Sequence, residues 1–112
     1  MNADHATEVM RWVQIIKSKC PPESDPTVTF RFDFLSPEKW RLEGLSDQIT
    51  PGTKTVEHLV AALPQIYMLV VHDSSNYDVD SLGARIKELN DLALFHGVEG
   101  VDEVTAKASW SD

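Results

Sequence analysis

The chain has 112 residues, 42% of them hydrophobic and 25% charged, which is the size and composition of one ordinary globular domain and excludes a disordered chain. A single cysteine, Cys20, excludes an intramolecular disulfide and points to a reducing compartment. The net charge is −8, and residues 73–112 hold nine acids against three bases, a balance that works against binding a phosphate backbone and favours a basic partner.

The N-terminus lacks the basic and apolar regions of a signal peptide. The longest apolar stretch, Leu59 to Val71, is broken by Pro64 and Gln65, too short for the roughly 20 apolar residues that span a bilayer. A soluble, cytoplasmic protein is expected. Residues 4–19 read as an amphipathic helix capped by Asp4, with Val9, Met10, Val13 and Ile16 at helical spacing and Trp12 to one side. Residues 20–26 carry three prolines and read as a linker.

Residues 27–34 give the clearest strand. Val28, Phe30, Phe32 and Phe34 alternate with Thr29, Arg31 and Asp33, the pattern of a strand covered on one side. Two readings compete for residues 37–49. Ser36-Pro37-Glu38 resembles a helix start, and a helix from there carries Leu42, Leu45 and Ile49 on one side but places Trp40 poorly. A hairpin that sets Phe34 against Trp40 pairs Phe32 with Leu42, Asp33 with Arg41 and Arg31 with Glu43 in one register. The hairpin is preferred.

Ser46 to Gly52 reads as a loop. Residues 54–63 read as a helix capped by Thr53, with Val56, Leu59, Val60 and Leu63 buried and Pro64 as its end. Ile66 to Val71 reads as a central strand buried on both faces, His72 to Asp80 as a polar loop. Residues 81–95 form a helix with Leu82, Ile86, Leu89 and Ala93 as its stripe and Gly97 at its C-terminal cap. Residues 103–109 alternate as a last strand. The expected fold is a single α/β domain of α+β character, residues 1–112. It holds an N-terminal helix, an antiparallel hairpin, then helix–strand–helix–strand, giving a four-stranded mixed sheet packed with helices.

Candidate chemistry is sparse. His72, Asp73, Ser74, Asn76 and Asp78 form a polar set beyond the carboxyl end of the central strand, where open α/β sheets bind ligands. Adjacent strand residues point to opposite faces, so His72 and Asp73 do not pair, and Asp78 or Asp80 serves equally as a helix cap. Asn76-x-Asp78-x-Asp80 resembles the opening of a calcium loop, but Ser81 and Lys87 stand where glycine and glutamate are needed. Thr55-Val56-Glu57-His58-Leu59 is similar to the metal-bearing helix of the zinc-dependent deacetylase of lipid A synthesis, whose histidine binds zinc. The match covers a handful of residues and lacks a second histidine–aspartate pair, so Glu57 and His58 read as surface residues. No metal and no cofactor are expected, and no catalytic residue is assigned. No glycine-rich phosphate loop, nucleophile elbow or basic-aromatic patch is present in the sequence.

Tryptophan is enriched at interface hot spots, and this chain has three. Trp40 is assigned to the core, whereas Trp12 and Trp110 are read as exposed. The leading functional reading is a small acidic interaction module, an inhibitor, immunity-type or adaptor protein. It engages a basic protein partner through Trp12, Trp110, Asp102 and Glu103, without nucleic acid or membrane. The alternatives are a small-molecule-binding or hydrolytic site at residues 72–78, and a homo-oligomer formed through the hairpin's edge.

Overall fold

The computed structural model describes residues 5–21, 26–50, 52–59 and 65–109. These form three helices, α1 (His5–Ser18), α2 (Lys39–Gln48) and α3 (Val79–Phe95), and four strands, β1 (Thr27–Ser36), β2 (Thr53–Leu59), β3 (Ile66–Asp73) and β4 (Glu103–Ser109). The strand order is β2-β3-β1-β4, and every neighbouring pair is antiparallel. β3 lies between β1 and β2, and β1 lies between β3 and β4. The units β1-α2-β2 and β3-α3-β4 are thus each split by a strand of the other, the ferredoxin-like βαββαβ topology, with α1 added ahead of it.

Period-two alternation sorts the sheet into two faces. Phe30, Phe32 and Phe34 of β1 stand beside Asp73, Val71 and Leu69 of β3, and Phe32 also stands beside Val104 of β4. All three phenylalanines, Leu69 and Val71 are buried in one core with Met10 and Val13 of α1, Leu42 and Leu45 of α2, and Leu82, Ile86 and Leu89 of α3. One shared core places all three helices on the same side of the sheet. Among the described residues the other side carries no helix.

The expected four-stranded α+β domain is what forms, but the sheet is antiparallel, not mixed. The hairpin is also corrected. Phe32 and Phe34 find apolar partners in Val71 and Leu69 of β3, so β1 does not need Leu42 and Trp40 across a short loop. Residues 39–48 take the helical alternative instead. They bury Leu42, Leu45 and the following Ile49 completely, while Trp40 is 65% exposed. The assignment of Trp40 to the core fails for the same reason: the helix that buries its neighbours turns it outward.

The helix expected over 54–63 is a strand where it is described. Thr53, Thr55 and Val56 are β-branched, a class that suits a pleated edge, and Val56 stands beside Leu69. Lys54 turns its stem inward and its Nζ donates to the Ile49 carbonyl at 2.7 Å. The expected buried residues Val60 and Leu63, and the stop at Pro64, lie outside the described residues, as do the Asp4 cap and most of the 20–26 linker. β3 is central, yet helices cover it on one face only. On the open face Ile66 and Met68 are half-buried, Val70 is buried and His72 is exposed.

α3 is bounded as its sequence implies. Asp78 caps it with a reciprocal box: its carboxylate accepts from the Ser81 amide at 2.7 Å, and the Ser81 hydroxyl accepts from the Asp78 amide at 2.9 Å. At the other end Gly97 has φ +76, its amide donates to the Leu94 carbonyl at 3.0 Å, and the Val98 amide donates to the Ala93 carbonyl at 2.8 Å. That is the paired bonding of a Schellman cap. A Cβ on Gly97 would also collide with Arg41 Nη1. Gly97→Ala is therefore expected to destabilise the fold by about 1–2 kcal/mol from the left-handed backbone alone. Chemical denaturation of the variant checks it; a stability within about 0.3 kcal/mol of the parent, well inside that penalty, contradicts this account of the cap.

Candidate functional site

The junction of β3 and α3 holds the polar residues singled out from the sequence, and the fold disperses them. His72 faces the helix-free side of the sheet, opposite Arg31 of β1 and Thr53 of β2. Asp73 turns to the core side beside Phe30 and is buried. The two do not form a pair, as strand alternation requires.

A buried carboxylate needs partners, and Asp73 has them close in sequence. Its Oδ1 accepts from the Ser75 amide at 2.9 Å and from the Ser75 hydroxyl at 2.6 Å. Its Oδ2 accepts from the Tyr77 hydroxyl at 2.5 Å, and Arg85 Nε stands 4.0 Å from it. Arg85 is itself buried; its Nη1 donates to Glu88 Oε1 at 2.8 Å and its Nη2 to the Thr50 carbonyl at 3.0 Å. The Tyr77 ring packs edge-on against Phe30, with centroids 5.2 Å apart. Burial pushes the Asp73 carboxyl upward, but the bonds from Ser75 and Tyr77 and the Arg85 charge outweigh it, so the net shift is downward. The Tyr77 phenol is pushed up to about 12 by burial and by the carboxylate it bonds. Asp73 thus latches the loop that follows β3. It is a poor base for the Ser75 hydroxyl, because its affinity for a proton lies below the ordinary carboxylate range.

The latched loop walls a cleft of about 380 Å³ between α1 and the start of β1. Ser74, Ser75, Asn76 and Tyr77 form one side, with Lys17 of α1 and apolar Val13, Val28 and Phe30 among the remaining lining. Ser74 and Asn76 reach the cleft, Asp73 anchors it from behind, and Asp78 caps α3. His72 belongs to neither. The five residues taken together from the sequence therefore serve distinct local roles. Lys17 was missed, because nothing in the α1 pattern tells which neighbour its last turn meets. Among the described residues no group of three or more His, Cys, Asp or Glu is placed to hold a metal ion. His58 lies on a strand, not a helix, and stacks on Tyr67 with centroids 4.9 Å apart, so the helical context of the zinc resemblance is absent.

The second set centres on β4. Trp12 is 53% exposed and lines a cleft of about 220 Å³ with Glu8, Val9, Val104, Thr105 and Ala106. Asp102 and Glu103 are exposed at the start of the strand, and the Asp102 amide donates to the Asp33 carbonyl at 2.7 Å. Trp110 lies outside the described residues. Trp40, not anticipated as a surface group, carries the Arg41 guanidinium 4.9 Å from its ring centroid, and Arg41 Nη1 donates to the Gly97 carbonyl at 3.1 Å. Leu94 and Phe95, off the buried stripe of α3, are 63% and 84% exposed.

The downward shift of Asp73 has a definite sign. Its folded-state pKa lies below its ordinary value of 3.8, so its contribution to stability is full above that value and is lost as pH falls through the folded pKa. Tyr77→Phe removes one donor to a charged acceptor, expected to cost about 1.5–3 kcal/mol at neutral pH, and shifts the acid-unfolding midpoint upward. Denaturation followed from pH 7 to 2 checks both. An unchanged acid limb in the variant would rule out the latch. At the alkaline end, the raised Tyr77 pKa makes stability fall between its ordinary 10.0 and about 12.

Comparison of the chain with protein-family models, with curated proteins and with solved structures gives no match.

Proposed function

We propose that the protein is a small interaction module that receives an extended basic segment of a partner protein along β4. The observation that carries this reading is Trp12, more than half exposed and set in a cleft against an edge strand. An edge strand offers backbone donors and acceptors to an added strand, and a cleft beside it supplies side-chain selectivity. Trp12 provides a large anchor with a polar handle. Glu8 is exposed beside it and Asp102 and Glu103 are exposed at the start of β4, and the net charge of −8 favours encounter with a cation-rich partner. Lys107, the one basic residue of β4, guards the strand against indiscriminate pairing. The chemistry suits an inhibitor or adaptor that masks a basic surface, and the lone Cys20 suits a cytoplasmic setting.

A second reading has its own support. The cleft of about 380 Å³ behind Ser74–Tyr77 falls within the volume range of small-molecule sites, and Lys17 and Asn76 would orient a polar ligand there.

The primary reading is tested by affinity capture of the tagged chain with a photo-crosslinking residue at Glu103, followed by identification of the crosslinked peptide. The expected result is a lysine- and arginine-rich extended peptide, captured at least tenfold less by Trp12→Ala, whose fold is retained. A partner held equally by the parent and by both Trp12→Ala and Glu8→Lys would refute the β4 assignment. A dimer in sedimentation that dissolves on Trp12→Ala would give the groove to a second copy. Loss of binding on Lys17→Ala alone would move the site to the cleft at Ser74–Tyr77.

A further inference from the structure

We propose that the helix-free face of the sheet carries a binding site for a small molecule bearing an oxyanion, a phosphate or a carboxylate. The site is the cleft formed by Thr29, Arg31, His72, Thr105, Lys107 and Ser109. Its volume is about 550 Å³, within the range of small-molecule sites. Strand register assembles it: Arg31 stands between His72 of β3 and Thr105 of β4, Thr29 stands beside Lys107, and Thr27 beside Ser109.

Every lining side chain carries a hydrogen-bond donor: a guanidinium, an imidazole, an ammonium and three hydroxyls. Among the described residues no carboxylate lines the cleft. That lining departs from the composition around it, since Lys107 is one of three bases among residues 73–112, which hold nine acids. The acids of this face are displaced along the strands. Asp33 and Glu103 form the next cross-strand pair, and Glu57 stands beside Met68, further along β3. None of the six lining residues belongs to the core, so packing does not account for their convergence.

Asp33 prepares the site. Its carboxylate is buried, with 9% side-chain exposure against 41% for Arg31, and its Oδ1 accepts from Arg31 Nε at 2.8 Å. This bond fixes the guanidinium through its inner nitrogen and leaves the two terminal nitrogens for a ligand. A planar fork held in that way suits bidentate recognition of an oxyanion. Asp33, Glu57 and Glu103 all act on the Arg31 charge, so attraction of an oxyanion rests on Lys107 and on directed hydrogen bonds from the lining donors. The Thr29 and Ser74 hydroxyls are hydrogen-bonded at 2.9 Å, which ties the floor of the cleft to the end of β3.

The test uses the full chain and two probes, inorganic phosphate and citrate, each titrated at constant ionic strength held with chloride. The His72 imidazole and the Arg31, Thr105 and Lys107 amides are followed by nuclear magnetic resonance. The expected result is a saturable shift of these signals with at least one probe, weakened about tenfold or more by Lys107→Gln and by Arg31→Gln, the scale of losing one charge-assisted hydrogen bond. Saturation by phosphate alone or by citrate alone identifies the oxyanion. Shifts that stay linear, that match those at Lys39 and Lys87 elsewhere on the surface, or that saturate unchanged in the variants overturn the proposal. Should Arg31→Gln fail to fold because Asp33 loses its partner, Lys107→Gln on the edge strand decides alone. Phe95→Ala, at an exposed position on α3 away from the cleft, is expected to leave the titration unchanged.

Discussion

The inward placement of Asp73 is the constraint from which the candidate sites arise. β3 must turn Leu69 and Val71 toward the helices to match Phe34 and Phe32, and strict alternation then turns Asp73 the same way. An isolated carboxylate in that position would cost several kcal/mol. The chain offsets this cost locally, with two donors from Ser75, one from Tyr77 and the nearby Arg85. Satisfying Asp73 fixes the path of residues 74–77. That path walls the cleft against Lys17 and delivers Asp78 to the N-terminus of α3 in capping geometry. A buried carboxylate held by several donors in this way rigidifies its surroundings.

The same alternation governs the opposite face. Once the phenylalanines of β1 face the helices, Thr29, Arg31, Asp33 and Leu35 must face away, and antiparallel register lines them up with His72, Val70 and Met68 of β3 and with Glu103, Thr105 and Lys107 of β4. The result is graded. Half-buried Leu35, Ile66 and Met68 occupy one end, Asp33 and Glu103 the middle, and the cations the other end. Because no helix covers this face among the described residues, its chemistry is free to differ from the acidic average of the chain.

The local signals were legible in the sequence wherever one periodicity acted alone. α1, β1, β3, α3 and β4 fall close to where their patterns place them, and the caps at Asp78 and Gly97 are the residues that turn and cap chemistry names. The two misread segments, 39–48 and 53–59, share a cause. In each, few apolar residues carry the pattern, so tertiary partners decide. Leu42 and Leu45 satisfy a helix on the sheet as well as they would satisfy a hairpin, and the choice is made by β3, which reaches β1 from more than 30 residues away and takes its pairing edge. For 53–59, Val56 and Leu59 fit a helical stripe, but α2 already occupies the helical layer over β1, β2 and β3.

The site residues obey the same division. That His72 and Asp73 diverge could be read from alternation alone, since it needs only the strand. That His72 lines one cleft with Arg31 and Lys107 could not, because each comes from a different strand and the strand order is not written locally. Trp40 shows the limit of hydrophobicity as a guide to burial. A large aromatic raises the expectation of a core position, yet on α2 the buried stripe is set by Leu42 and Leu45, with Ile49 buried just after it, and helical geometry leaves Trp40 outside it. Burying Trp40 would rotate those three aliphatic side chains out of the core. The helix takes the larger apolar sum, and Arg41 stacks on the ring that remains in solvent.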